Sequence, residues 1–342
     1  VSKSEQSAQK AEELVARLTL KEKIAQLQNN SFATIIDYVN PEGVVNTDSL
    51  KKYFPDGVGG LAIDKSLDPI VYMQVVKSVN DYNNTTRLKI PALYLGESLH
   101  GFMCMQATVF PQAIALGCSW DPVMLEKCFD AAAVEASARG VKQILSPILD
   151  LGREPRFGRI EEMFSEDPYL VGECGKAAVW GLQGRNGLPD NSHVAATLKH
   201  YVGHGIPEGG RNTAPVNISY YDLLNEHVPP FATCINAGVL SVMPSYNEIN
   251  GVPNHGSKFL LKDVLGKELG FTGLITSDQN AIDAMCSGHL LVSSNAEAAK
   301  LAIENGVDID IQYVGGAYDE LENLVNSGEL DVKYINQSVK RL

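Results

Sequence analysis

Short apolar runs of six to eight residues recur along the chain, separated by longer segments with helical periodicity. They are "VGGLAI" (58–63), "IPALYLGE" (90–97), "QILSPILD" (143–150), "VAATLKHY" (194–201), "VLSVMPSY" (239–246), "GLITSD" (273–278) and "GVDIDI" (306–311). Most are apolar at successive positions instead of alternating, the pattern of a strand covered on both faces. The segments between them carry helix signals. Thr19 and Glu22 form a capping box, and Asp121-Pro122 and Asp167-Pro168 each place a cap before a proline at the first helical position. Gly140 ends one helix, and Ser219 with Asp222 opens another. Repeated strand–helix units imply parallel strands joined by right-handed crossovers. The glycines at 57, 59 and 60 do not make the GxGxxG turn of a nucleotide-binding sheet. The pattern therefore predicts one α/β domain over residues 1–342, a TIM-type (β/α)8 barrel with an N-terminal helix.

A barrel presents its chemistry at the C-terminal ends of its strands. The predicted strand ends carry Glu97; Asp150, with Arg153, Glu154, Arg156 and Arg159 just beyond; Lys199 and His200; Tyr246, Asn247 and Glu248; and Asp278. A single polar residue there can be a helix cap, and Asp278 before the helix at Ala281 is open to that reading. Lys199 could neutralise Asp150 or Asp278, and the Arg/Glu-rich loop from 153 to 167 reads mainly as salt bridges, with one or two members reaching a ligand. Five strands converging on one rim nevertheless describe a polar pocket. Carboxylates beside Lys, His and Arg suit a neutral polyhydroxylated ligand. Trp120 and Trp180 are possible stacking faces, although neither lies at a strand end.

Composition narrows the classes. The 342 residues are 44% hydrophobic and 20% charged, with a net charge of −13. That sign, with no basic run, disfavours a nucleic-acid or anionic membrane surface. No apolar stretch is long enough to span a bilayer. The six cysteines, Cys104, Cys118, Cys128, Cys174, Cys234 and Cys286, show no zinc spacing, so no metal and no cofactor are expected, and free thiols are favoured over disulfides. Asn29, Asn83, Asn84, Asn217 and Asn336 open N-x-S/T triplets, which are compatible with a secreted protein.

At these residues the chain resembles glycoside hydrolase family 3. "GREPRFGRIEEMFSEDPYLVGE" (152–173) is similar to that family's arginine-rich signature, and "LKHYVGHG" (198–205) to its Lys-His segment. The tract 241–282, ending in "LITSDQNAI", is similar to the one that ends at the family's nucleophile. "GESLHG" (96–101) and "ATVFPQAIALGCSWDP" (107–122) complete the order. The resemblance implies a retaining, exo-acting β-glycosidase that forms a covalent glycosyl-Asp intermediate. Asp278 would be the nucleophile, and Glu97, Arg153, Lys199, His200 and Tyr246 would hold the sugar. Lys199 and Arg153 are expected to keep Asp278 ionised. Glu97 stands where many members have Asp, which resembles the β-xylosidase branch and favours a pentose over glucose.

The general acid has no clear candidate. In two-domain members it comes from a second α/β domain, which is absent from this chain, so a downstream domain or partner chain is expected to supply it. His204 resembles the catalytic His of β-N-acetylglucosaminidases, but "KHYVGHGIPEGGRN" (199–212) lacks that motif's Pro and Asp-x-His, so a structural role is expected. Glu208 and Glu248 are further conceivable acids. Two other functions compete: a Schiff-base aldolase with Lys199 as the amine, which needs Lys199 free of carboxylate contact, and a sugar-binding barrel without turnover.

Overall fold

In the computed structural model, which describes residues 3–313 and 315–342 (backbone only for 3–5), eight parallel strands curl into a barrel. They are β1 (Gln28–Ser31), β2 (Gly60–Ala62), β3 (Leu93–Gly96), β4 (Gln143–Ile144), β5 (Ala195–Tyr201), β6 (Ser241–Pro244), β7 (Leu274–Ile275) and β8 (Asp310–Gln312). Neighbours pair in the order β8-β1-β2-β3-β4-β5-β6-β7. A parallel bridge between Thr276 and Ile309 joins the two ends of that order and closes the ring.

The continuous apolar runs follow from this closure. Successive side chains of a strand point to opposite faces. Tyr94, Ile144, Leu198, Val242 and Ile275 face the helices and belong to the large outer core. Leu93, Leu95, Leu145, Met243 and Leu274 alternate with them and pack inside the ring with Ile309 and Ile311. Beside this apolar plug, Gln143 Nε2 donates to Thr197 (2.9 Å), Ser241 (3.1 Å) and Thr276 (3.0 Å), tying four neighbouring strands together from within.

The sequence pattern missed β1, "QNNS". Its buried residues are amides. Asn29 donates to the Leu93 carbonyl (3.2 Å), and Gln312 donates to Asn30 (2.9 Å), so side-chain hydrogen bonds replace apolar burial. Gly60 is the register partner of Asn29, and a Cβ there would lie 2.2 Å from the Asn29 amide nitrogen. Both Asn29 and Asn83 are buried, so neither of these triplets presents its asparagine to solvent.

Helix ends sit where the caps placed them. The Thr19–Glu22 box is reciprocal, and Asp121 and Asp167 cap helices Pro122–Ala138 and Pro168–Gln183. The first helix, Lys3–Arg17, meets the last, Val332–Arg341, through an ion pair of Glu12 with Lys340. All six cysteines are free thiols. Among the described residues, no helix is long and apolar enough to cross a membrane.

Candidate active site

The same two-residue period that builds the interior also builds the site. Leu95, Thr197 and Thr276 point inward, so Glu97, Lys199 and Asp278, two residues further along, point inward one layer higher, at the C-terminal mouth. There Lys199 Nζ donates to Glu97 Oε2 at 2.7 Å, with the Lys199 side chain 4% exposed. Glu97 and Asp278 line an open cleft of about 510 Å³, whose other walls come from Phe32, Ile63, Met103, Gln279 and Tyr313.

Asp278 does not cap the helix that follows. Helix Ala281–Ser287 has Asn280 at its cap, without a side-chain cap bond. The Asp278 N–H donates to His255 Nε2 (3.1 Å), and Oδ1 accepts the Gln279 N–H (2.8 Å). Oδ2 is buried with no hydrogen-bond partner, and it lies 3.8 Å from His200 Nε2. Burial pushes the Asp278 carboxyl up to about 6, against the opposing pull of Lys199, the Gln279 N–H, Tyr246 and Arg159. The sequence reading expected neighbouring cations to dominate, but removal from water outweighs them.

Arg153 is not one of those cations. Its guanidinium pairs with Glu226 and donates from Nε to the Glu166 carbonyl (3.1 Å), so it points out of the site. Arg156 is held by Glu154. Arg159 takes the inward place. Its Nε and Nη2 engage Glu162, Nη2 reaches His200 Nε2 (3.2 Å), and Nη1 reaches His204 Nε2 (3.1 Å). Arg159 is six residues beyond Arg153 in the same loop, and nothing in the local sequence distinguishes the two.

The remaining candidates separate clearly. His200 is buried and bonds Asp150 Oδ2 through Nδ1 (2.8 Å), so Asp150 is paired with His200 and Lys199 with Glu97. Burial pushes Asp150 up to about 7 and His200 well below its usual value. The Tyr246 hydroxyl donates to the Gln279 carbonyl (3.1 Å), which brings it beside the nucleophile candidate. His204 is fully buried, bonds Asn247 Oδ1 through Nδ1 (2.6 Å), and is pushed down to about 3, first by burial and then by Arg159. A group so held is a poor proton donor. Glu208 is tied to Asn217, Glu248 pairs with His289 (3.1 Å), and neither lines the cleft. Trp120 is 74% exposed outside the cleft, and Trp180 lies under Arg185. Sequence reasoning missed His255, which sits in the turn "NHG" (254–256) with no periodic signal.

The Lys199–Glu97 ion pair removes the condition on which the aldolase reading depended. Among the described residues, no group of three His, Cys, Asp or Glu could hold a metal ion. The constellation is a shielded carboxylate with one free oxygen, a fixed ammonium–carboxylate pair and a clamped guanidinium.

The family model described as the glycosyl hydrolase family 3 N terminal domain matches residues 19–342. A β-xylosidase of Formosa agariphila is 36% identical over 283 residues, which is 79% of this chain and 39% of the relative. A periplasmic β-glucosidase of Salmonella typhimurium is 30% identical over 96% of this chain and 40% of its own length. The structure of a β-glucosidase from Erythrobacter marinus superposes with a TM-score of 0.90 at 35% identity, covering 98% of this chain and 44% of that one. The chain thus spans less than half the length of these relatives. The convergence of Glu97, Lys199 and Asp278 at one barrel mouth and the match over nearly the whole chain agree: this protein belongs to glycoside hydrolase family 3, through that family's N-terminal domain.

Proposed function

We propose that this chain is the nucleophile-bearing barrel of a retaining, exo-acting β-glycosidase that releases terminal β-D-xylosyl or β-D-glucosyl residues. Asp278 Oδ2, buried at the cleft and free of partners, attacks the anomeric carbon as the aglycone departs, and water later hydrolyses the glycosyl-Asp278 ester. That free oxygen is the observation on which the reading rests. Glu97 accepts sugar hydroxyl hydrogens while Lys199 fixes its orientation, and His200 and Tyr246 close the subsite beside Arg159. Glu97, one methylene longer than Asp, fills space that the hydroxymethyl group of a hexose would need, which favours the pentose.

Retention requires a general acid whose carboxyl stands about 5–5.5 Å from the nucleophile. We assign that role to a second α/β domain or a partner chain, a reading supported by relatives more than twice as long as this chain. The relative named periplasmic supports an exported protein. The experiment is mass spectrometry after incubation with dinitrophenyl deoxyfluoro-β-xyloside, whose leaving group needs no acid. The label should appear on Asp278, and Asp278→Ala should abolish it while the fold persists. Sugar binding without any label would make this a binding barrel and overturn the proposal.

A further inference from the structure

A guanidinium carries five N–H groups and no lone pair, so any imidazole nitrogen it contacts must be unprotonated. Arg159 spends Nε and one Nη2 hydrogen on Glu162, then meets His200 Nε2 at 3.2 Å, His204 Nε2 at 3.1 Å and Asn212 Oδ1 at 3.4 Å. Both rings are therefore neutral, with the hydrogen on Nδ1, and both lone pairs grip the same cation. For His204 the Nδ1–H donates to an amide oxygen, Asn247 Oδ1. For His200 it donates to a carboxylate, and Asp150 Oδ2 takes the main-chain N–H of His200 as well, at 3.2 Å.

Resting on the reading of Asp278 as nucleophile, we propose that Asp150 is a positioning residue for glycosyl transfer. By accepting two donors of His200 at one oxygen, it fixes that ring with its Nε2 lone pair toward Arg159, and so holds the guanidinium in the electrostatic field of Asp278. Asp150 touches neither the cleft nor Asp278. Its side chain is 1% exposed, and its other oxygen has no partner. An acceptor-only carboxylate cannot present a hydrogen to Nδ1, so the opposite tautomer finds no support. If Asp150 takes up a proton on Oδ1, both contacts at Oδ2 survive. Outer partners that orient metal-bound histidines contribute about 10- to 100-fold when removed, and a carboxylate that orients His200 behind Arg159 is expected to act on the same order.

The test uses histidine-labelled protein and two variants. In the wild type, the His200 nitrogen spectrum should show a protonated Nδ1 and an unprotonated Nε2. Asp150→Ala should release the Nδ1 hydrogen to solvent exchange and slow covalent labelling of Asp278 by about 10- to 100-fold, with the half-saturating probe concentration little changed. Asp150→Asn, whose oxygen can accept the same two donors, should keep the protected hydrogen and recover most of the rate. A wild-type His200 protonated on Nε2, or labelling by a folded Asp150→Ala at the wild-type rate, would overturn the inference. Absence of label from the wild type would instead remove the nucleophile assignment, leaving the tautomer measurement to stand alone.

Discussion

Lowering the pH should disable Asp278 well before an ordinary carboxylate would respond. Burial lifts its carboxyl from 3.8 to about 6 because the ionised form gives up most of its water at the barrel mouth. A nucleophile must be ionised to attack. At about pH 5 only roughly one molecule in ten then carries the carboxylate, whereas an unperturbed carboxyl would be more than about nine-tenths ionised. The rate of covalent labelling by dinitrophenyl deoxyfluoro-β-xyloside should therefore be half-maximal near pH 6 and fall about tenfold for each further pH unit. Because the dinitrophenolate leaves unaided, no acid residue contributes a second limb. Lys199 is the largest influence holding the carboxyl down, so Lys199→Met should move the midpoint to higher pH. A labelling rate that stayed flat from about pH 7 to about pH 4.5 would refute the dominance of desolvation. The sequence expectation, that cations keep Asp278 ionised, would then be restored.

Other outcomes separate neighbouring claims. Arg153→Ala should leave the labelling rate within about threefold, because it breaks only a half-exposed pair with Glu226 and a bond to the Glu166 carbonyl. Arg159→Ala, which strips the clamp from His200 and His204, should lower it by about 100-fold or more. Glu97→Asp restores the space of one methylene. It should shift the ratio of kcat/KM for β-xyloside over β-glucoside toward glucose by about tenfold, in steady-state assays of both nitrophenyl glycosides. Asp310 is pushed up to about 7 by burial, and then by Asp283 and Asp319. A carboxyl raised by folding favours the native state at low pH and loses that contribution as pH rises through its folded value. Asp310→Asn keeps an acceptor for the Tyr318 N–H and should gain about 3 kcal/mol on the wild type between about pH 5 and about pH 8.5, read by denaturant melts. An equal difference at both pH values would contradict it.

How much of this was legible depended on which physical term set each feature. The barrel was, because burial on both faces writes uninterrupted apolar runs, and its polar mouth was, because Glu97, Lys199 and Asp278 each stand two residues past an inward-facing neighbour, with Glu97 and Asp278 lining the cleft and Lys199 behind Glu97. The strand β1 was not, since Asn29 and Asn30 fill their places by hydrogen bonding and leave no apolar signal. The choice between Arg153 and Arg159 was also hidden. It turns on Glu226, more than seventy residues downstream on the segment Leu223–His227, and on His200 and His204 from the β5 end. Local spacing cannot register a competition settled by partners so distant in sequence.

The sign of the Asp278 perturbation was misjudged for a related reason. Composition at the strand ends counts charges, while the ionisation state depends on how they are shared. Four carboxyl groups (Glu97, Asp150, Glu162 and Asp278) face two cations, Lys199 and Arg159, and contacts of 2.7 and 2.8 Å commit those cations to Glu97 and Glu162. Asp278 is left with the Gln279 N–H and longer-range attraction from the cations against the desolvation of a nearly buried carboxyl. The same division leaves its Oδ2 without a donor. A nucleophile that is hard to ionise and whose attacking oxygen is unclaimed by hydrogen bonds is more reactive once ionised than one neutralised at close range, because no contact at that oxygen has to be broken before it attacks. If Lys199 were turned from Glu97 to Asp278, for example in Glu97→Gln, the labelling midpoint should fall to lower pH while the maximal rate also falls; a rise in both would show that the Glu97–Lys199 pairing has no part in keeping the nucleophile free.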